Sequence, residues 1–190
     1  MKAARALAAC AAALLLVACA AMLPGKQLPA AASFDLLGRV LVSNEGRAFS
    51  SGFRWLHDAD SDEIWLLSPV GQTLAYIAAD AGGAMLTSAD QQTYQAASVE
   101  KLTSQALGWP LPLERLQHWI TADAAPGIPV AKVTADAHNR ATLIEQADWR
   151  IRYVYPETGN DPVRPRRLDM TRNGQQIRLV IDTWRGGRGP

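Results

Sequence analysis

Few residues in this chain can do chemistry, and the clearest is Cys19, which closes the tetrapeptide Leu16-Val17-Ala18-Cys19. Lys2 and Arg5 stand in a charged start, and Ala6 to Val17 form an apolar run too short to span a bilayer stably. A small residue then precedes the cysteine. This is the layout of a cleaved export signal, ending in the lipobox pattern at which a cysteine becomes the lipidated first residue. A thiol is needed because it forms a thioether to a diacylglycerol, and alanine before it fits a small-residue peptidase pocket. Residues 1–18 are therefore expected to be removed and Cys19 to be acylated.

Other reactive constellations do not form in the sequence. His57, His118 and His138 fall on a strand end, a helix and a turn, with no His-Glu-x-x-His pattern or cysteine cluster. They are expected to be surface or half-buried histidines. No Gly-x-Ser-x-Gly elbow or phosphate-binding glycine loop occurs. Asp60, Asp62 and Glu63 resemble the start of a calcium loop, but the later bidentate glutamate is missing, so a solvated turn is expected. No cofactor, metal or catalytic role is expected.

Of the 190 residues, about 172 remain after the signal, enough for one domain with a real core. They carry 17 basic and 18 acidic side chains, a balance that argues against nucleic-acid binding. The charge is uneven: residues 148–190 hold 9 basic and 5 acidic residues. Arg164, Arg166 and Arg167, beside Pro162 and Pro165, form the densest basic run. Cys10 leaves with the signal and Cys19 is consumed by lipid, so the domain must be held by its core without a disulfide.

The elements that position these residues follow from periodicity. Residues 19–33 contain two prolines and several small residues and read as a tether. From Phe34 the period is two: Phe34, Leu36, Gly38, Val40 and Val42 share a face, as do Phe49, Ser51, Phe53 and Trp55, then Ile64 and Leu66, then Leu74 and Tyr76. Turn clusters at 58–62 and 81–83 make this an antiparallel meander. Val99, Leu102 and Ala106 then show helical spacing, with Ser98 able to cap and Gly108 able to end the helix. Pro112 opens a second helix that places Leu113, Leu116 and Ile120 together. Strands resume with Trp149, Ile151, Tyr153 and Tyr155, and Asn173-Gly174 fits a type I′ hairpin. The sequence predicts a mixed antiparallel α+β domain over 34–185, with residues 186–190 as a disordered tail. Two helices laid over one curved sheet can either seal a core or enclose an apolar cavity; period alone leaves both open.

One segment departs from ordinary turn composition. In Leu67-Ser68-Pro69-Val70-Gly71-Gln72, Pro69 and Gly71 signal a tight turn, yet Val70 stands at its tip. A rigid loop presenting an aliphatic side chain suits contact with a bilayer.

The ordered pieces Phe34-Asp35-Leu36-Leu37-Gly38-Arg39, Phe53-Arg54-Trp55, Ser68-Pro69-Val70-Gly71-Gln72-Thr73, Gly108-Trp109-Pro110-Leu111-Pro112-Leu113, Trp119-Ile120 and Ile177-Arg178-Leu179 with Trp184 resemble the LolB family of outer-membrane lipoprotein receptors. The resemblance covers nearly the whole mature chain. It implies an incomplete, strongly curved antiparallel β-barrel (a half-barrel) with a helical lid over an apolar cavity. It implies a monomer that accepts acylated lipoprotein cargo from the periplasmic carrier LolA and inserts it into outer-membrane lipid without nucleotide. In the family the loop usually reads Pro-Leu-Gly and its leucine is linked to membrane delivery, so Pro69, Val70 and Gly71 are the expected membrane-contact loop, one methylene shorter here. Ala20 after the cysteine agrees with outer-membrane sorting. Phe34, Leu36, Val40, Phe53, Trp55, Leu66, Leu74, Tyr76, Trp109, Leu113, Leu116, Ile120 and Tyr153 are the expected acyl-chain lining. Arg164, Arg166 and Arg167 are the expected docking site for an acidic carrier rim, and the anchor at Cys19 is expected to keep Val70 near the bilayer. The alternatives are a structural envelope lipoprotein or lipid-binding module without transfer activity, and a lipid hydrolase, for which no nucleophile–base pair can be named.

Overall fold

The computed structural model describes residues 33–157 and 164–185. Cys19, the signal, Pro162, residues 186–190 and all of the tether but Ser33 lie outside the described residues. Eleven strands form one antiparallel sheet: β1 (Phe34–Asn44), β2 (Arg47–Asp58), β3 (Ser61–Leu67), β4 (Thr73–Asp80), β5 (Gly83–Ser88), β6 (Thr93–Ala96), β7 (Val130–Ala135), β8 (Ala141–Gln146), β9 (Trp149–Val154), β10 (Arg167–Arg172) and β11 (Gln175–Arg185). Their order across the sheet is β6-β5-β4-β3-β2-β1-β11-β10-β9-β8-β7. The first and last strands therefore pair in the middle, and the two free edges, β6 and β7, are consecutive in sequence. Between those edges the chain forms two helices, α1 (Val99–Leu107) and α2 (Leu113–Trp119). A direct pairing of β6 with β7 would close the barrel; the helices take that place, and the barrel stays open beneath them.

Alternation builds the inner face. Phe34, Leu36, Val40 and Val42 of β1, Phe53 and Trp55 of β2, Ile64 and Leu66 of β3, Ile151 and Tyr153 of β9, and Ile177, Leu179 and Ile181 of β11 are all buried in one cluster. Val99 and Leu102 of α1, and Leu113, Leu116 and Trp119 of α2, enter the same cluster, so the helices cover the inner face. Ser98 caps α1 through its Oγ, which accepts the Lys101 N–H at 3.3 Å. Asn173 and Gly174, with φ of 47° and 84°, form the type I′ turn expected of them. Among the described residues no helix is long and apolar enough to cross a membrane.

Gly38 lets β1 curve around its neighbours. A Cβ there would stand 2.3 Å from the Val180 carbonyl oxygen and 2.9 Å from the Phe53 ring. The β1–β11 register shifts at this point, and such an irregularity bends a strand inward. Only glycine allows both approaches.

Two expected lining residues face the other way. Leu74 is 40% exposed, and Tyr76 lies on the outer face, where its hydroxyl donates to Glu63 at 2.7 Å. The inward residues of β4 are Ala75 and Ile77, opposite Leu66 and Ile64. A bulge at Leu74, where Leu66 and Leu67 of β3 pair with Ala75 and Thr73, offsets the strand that follows the loop, and a one-residue offset exchanges the two faces.

Strand pairing also fixes which groups share an end. Phe34 lies beside His57, and His57 beside Asp62. The loop carrying Val70 follows Leu67, at the other end of β3. The chain thus enters the sheet at the end of β3 remote from Val70.

Candidate functional site

Backbone hydrogen bonds build the loop between β3 and β4. Gly71 N–H donates to the Ser68 carbonyl at 2.9 Å and Ser68 N–H to the Gln72 carbonyl at 2.8 Å, while Gln72 N–H donates to Ser68 Oγ at 3.1 Å. Pro69 supplies the fixed φ of the first central position, and Gly71 has φ +82°, a left-handed value that side-chain-bearing residues rarely adopt. The result is a stiff tip on which Val70 is 80% exposed, with Leu74 also exposed on the strand that follows. This is the most exposed large apolar side chain among the described residues.

Of the remaining expected lining residues, Phe34, Leu36, Val40, Phe53, Trp55, Leu66, Trp109, Leu113, Leu116, Ile120 and Tyr153 are brought together in the buried cluster. They meet one another directly. The Phe34 and Trp55 rings contact edge to face at 4.8 Å, and Trp119 lies 6.3 Å from Trp149. The buried side chains thus line the interior in contact with one another. Two polar tips inside it, Tyr153 OH and Trp149 Nε1, have no hydrogen-bond partner among the described residues, and burial pushes the Tyr153 phenol well above its ordinary value.

Two buried polar groups hold the helices to the sheet. Asp62 is 6% exposed and accepts three bonds: Trp55 Nε1–H at 2.7 Å, His57 Nδ1–H at 2.9 Å and, from α2, Gln117 Nε2–H at 2.6 Å. Gln146, on β8, is 1% exposed; its Oε1 accepts Trp119 Nε1–H at 2.8 Å and Ala125 N–H at 2.9 Å, and its Nε2 donates to the Ala125 and Ile128 carbonyls. The helices are joined to each other by Arg115 and Glu100 at 2.8 Å, and by Leu111 N–H donating to Thr103 Oγ1 at 2.9 Å. A third bond, from Gln175 Nε2–H on β11 to the Pro110 carbonyl at 3.3 Å, holds the linker between the helices, so the lid is one unit pinned to the sheet by Asp62, Gln146 and Gln175.

These pins correct two expectations. His57 is buried rather than superficial, and Asp62 is a buried acceptor rather than part of a solvated turn, because β3 begins at Ser61 and turns Asp62 inward. The alternation of inward residues from Ile64 and Leu66 back to Asp62 is a signal that could have found it; that Gln117 and Gln146 would meet Asp62 and Trp119 is long-range and leaves no local trace. His118, half-buried on α2, is held below its ordinary 6.5 mainly by burial, with Asp123 opposing.

The three arginines do not act alike. Arg166 is exposed, Arg167 pairs with Asp169 at 2.9 Å, and the Arg164 guanidinium stacks on the Trp184 ring at 4.9 Å. Trp184 in turn touches Phe34, so this basic group lies where the chain enters the sheet.

Among the described residues no group of three His, Cys, Asp or Glu side chains is arranged to hold a metal ion. The His57–Asp62 pair orients an imidazole as a base would be oriented, but among the described residues no hydroxyl or thiol lies within hydrogen-bond reach of its Nε2. What the arrangement offers is an apolar interior under a lid held by hydrogen bonds, with an aliphatic loop outside it.

Known proteins share both the fold and the sequence. A LolA superfamily protein from Nitrosomonas europaea covers 84% of this chain and 88% of its own with a TM-score of 0.52 at 10% identity, and a DUF1329 family protein from Desulfovibrio piger matches with the same score at 8% identity. At such identities the likeness is one of fold. Sequence relatives are nearer: the outer-membrane lipoprotein LolB of Nitrosomonas europaea is 39% identical over 155 residues, covering 80% of this chain and 73% of the relative. That of an Azoarcus species is 36% identical over 181 residues, 93% and 92% of the two chains. The family described as outer membrane lipoprotein LolB matches residues 32–184, and the chain belongs to that family.

Proposed function

We propose that this protein is an outer-membrane lipoprotein receptor: it accepts acylated lipoproteins from the periplasmic carrier LolA and passes them into the outer membrane. The observation that carries this reading is an apolar half-barrel whose lid is attached only by hydrogen bonds and packing, beside a stiff loop presenting Val70. The inner side chains pack against the helices in one buried cluster, so on this reading the helices shift outward to admit an acyl chain beneath them. Each buried methylene is worth about 0.8 kcal/mol, so a 16-carbon chain gains on the order of 10 kcal/mol on leaving water. That gain drives capture without nucleotide, and the membrane is the final sink for the chains. The inward residues of β1, β2, β3, β9 and the two helices are the proposed acyl lining, with Ala75 and Ile77 replacing Leu74 and Tyr76 on β4.

Cys19 is the proposed anchor, Pro69, Val70 and Gly71 the proposed membrane contact. Arg166, with Arg164 and Arg167 beside it, is the proposed docking point for an acidic carrier rim; insensitivity of docking to salt or to reversal of these three charges would remove that role. The decisive experiment follows a radiolabelled lipoprotein from a carrier complex to this protein and then into liposomes. Transfer through both steps is the expected result, and failure of the first step overturns the reading. Val70→Glu is expected to leave capture intact and block release into lipid; unimpaired delivery would take the loop out of the mechanism.

A further inference from the structure

We infer that the cleft beside His57 is a subsite for the first amide groups of an acylated peptide, with His57 Nε2 accepting an amide N–H. This rests on the receptor reading above and names where the polar end of the cargo lies. His57 is the last inward residue of β2 and is 5% exposed. The Asp62 carboxylate already accepts from Trp55 and Gln117, so it offers His57 only lone pairs, and Nδ1 is the donor of that pair. In that tautomer Nε2 is an acceptor, and among the described residues no protein donor reaches it; the atom is itself shielded from solvent, so a ligand meets it only as the helices shift outward. Buried acceptors are rarely left unpaired, and each such case asks for a partner.

The cleft that His57 lines has a volume of about 440 Å³. Its walls come from the β2–β3 and β4–β5 turns, the first turn of α1, and α2 from Pro112 to Gln117. Val99 and Leu113 belong both to these walls and to the apolar cluster, so the cleft opens where lid and sheet meet. A chain lying beneath the helices would leave its polar end here. Three exposed carboxylates, Asp60, Asp80 and Glu114, stand around it, while Glu100 is paired with Arg115. This surround repels a fatty carboxylate or a phosphate head group, and the ring nitrogen selects an N–H or O–H donor. The amide of an N-acylated cysteine carries that donor next to an acyl chain and bears no negative charge. Cationic residues following it in the peptide would be favoured further.

The test uses the whole protein and three probes at equal detergent concentration. The first is a tripalmitoylated glycerylcysteinyl peptide that continues with one serine and a run of lysines. The second is the same lipopeptide with glutamates in place of the lysines. The third is tripalmitoylglycerol, which has the chains but no N–H. Tryptophan fluorescence is expected to show roughly tenfold tighter binding of the lysine lipopeptide than of the glyceride, with the glutamate form between them. His57→Phe is expected to bring the lipopeptide down to the glyceride's affinity. In the unmodified protein, the ¹⁵N resonance of His57 Nε2 is expected to move with either lipopeptide and not with the glyceride, which decides the matter even where His57→Phe folds poorly. Equal affinity for peptide and glyceride, equal weakening of both by His57→Phe, or an unmoved Nε2 resonance would overturn the subsite. Failure of all three probes to bind would instead overturn the receptor reading itself.

Discussion

The two ends of β3 are built on opposite principles. At one end Asp62 is buried and its carboxylate oxygens are taken up by side chains from β2 and α2. At the other, the loop after Leu67 holds its shape through its own backbone bonds, Pro69 and one left-handed glycine, and leaves Val70 in water. The first end ties the lid down by long-range contacts. The second needs nothing from the rest of the molecule, so its tip is free to enter another phase. On the proposed reading, a receptor that must hold cargo and release it elsewhere has use for both: one end would govern what is retained, the other what is touched.

The contrast is open to breakage, and the largest effect is expected at the buried end. Asp62→Ala strands the Trp55, His57 and Gln117 donors and is expected to cost on the order of 3 kcal/mol in urea unfolding. Hydrogen exchange should rise first in α2. At the loop, Gly71→Ala meets no atom within 4 Å but must adopt φ +82°, and is expected to cost about 1 kcal/mol. A smaller effect follows from His118. Its folded value is lowered, so the unfolded chain binds the proton more readily below 6.5; stability present above that pH is lost as pH falls toward the folded value. His118→Gln should flatten this part of the stability profile, measured as urea midpoints between pH 7 and 5. Val70→Glu should shift stability by less than about 0.5 kcal/mol while stopping delivery to liposomes, separating the loop's role from the fold's.

Periodicity made most of this architecture readable in the chain. The alternation through β1, β2 and β9, the cap at Ser98 and the turn at Asn173-Gly174 are local signals, and the structure agrees with them. β7 was not readable, because every residue from Val130 to Ala135 is exposed and an exposed edge has no apolar phase. β4 was readable as a strand but not in phase: a bulge at Leu74, where Leu66 and Leu67 of β3 pair with Ala75 and Thr73, turned Leu74 and Tyr76 outward. Val70 stood out because a turn tip is ordinarily polar. The His57–Asp62–Gln117 and Gln146–Trp119 contacts join residues far apart in sequence, and nothing near any of them marks the partner.

The point where the chain enters the sheet sets a ruler. Ser33, whose hydroxyl donates to Asp58 at 2.9 Å, stands at the Asp62 end of β3, and the seven residues of that strand at about 3.3 Å each separate it from the Val70 loop by roughly 23 Å. On the proposed reading of Cys19 as lipid anchor, the chain from there to Ser33 reaches at most about 50 Å. That reach exceeds the separation, so anchor and loop can meet one bilayer. With this leader cut to about six residues, its contour falls to about 20 Å, and the loop is held off the surface that the anchor occupies. Leader length, rather than leader sequence, then decides whether an anchored molecule can deliver to its own membrane.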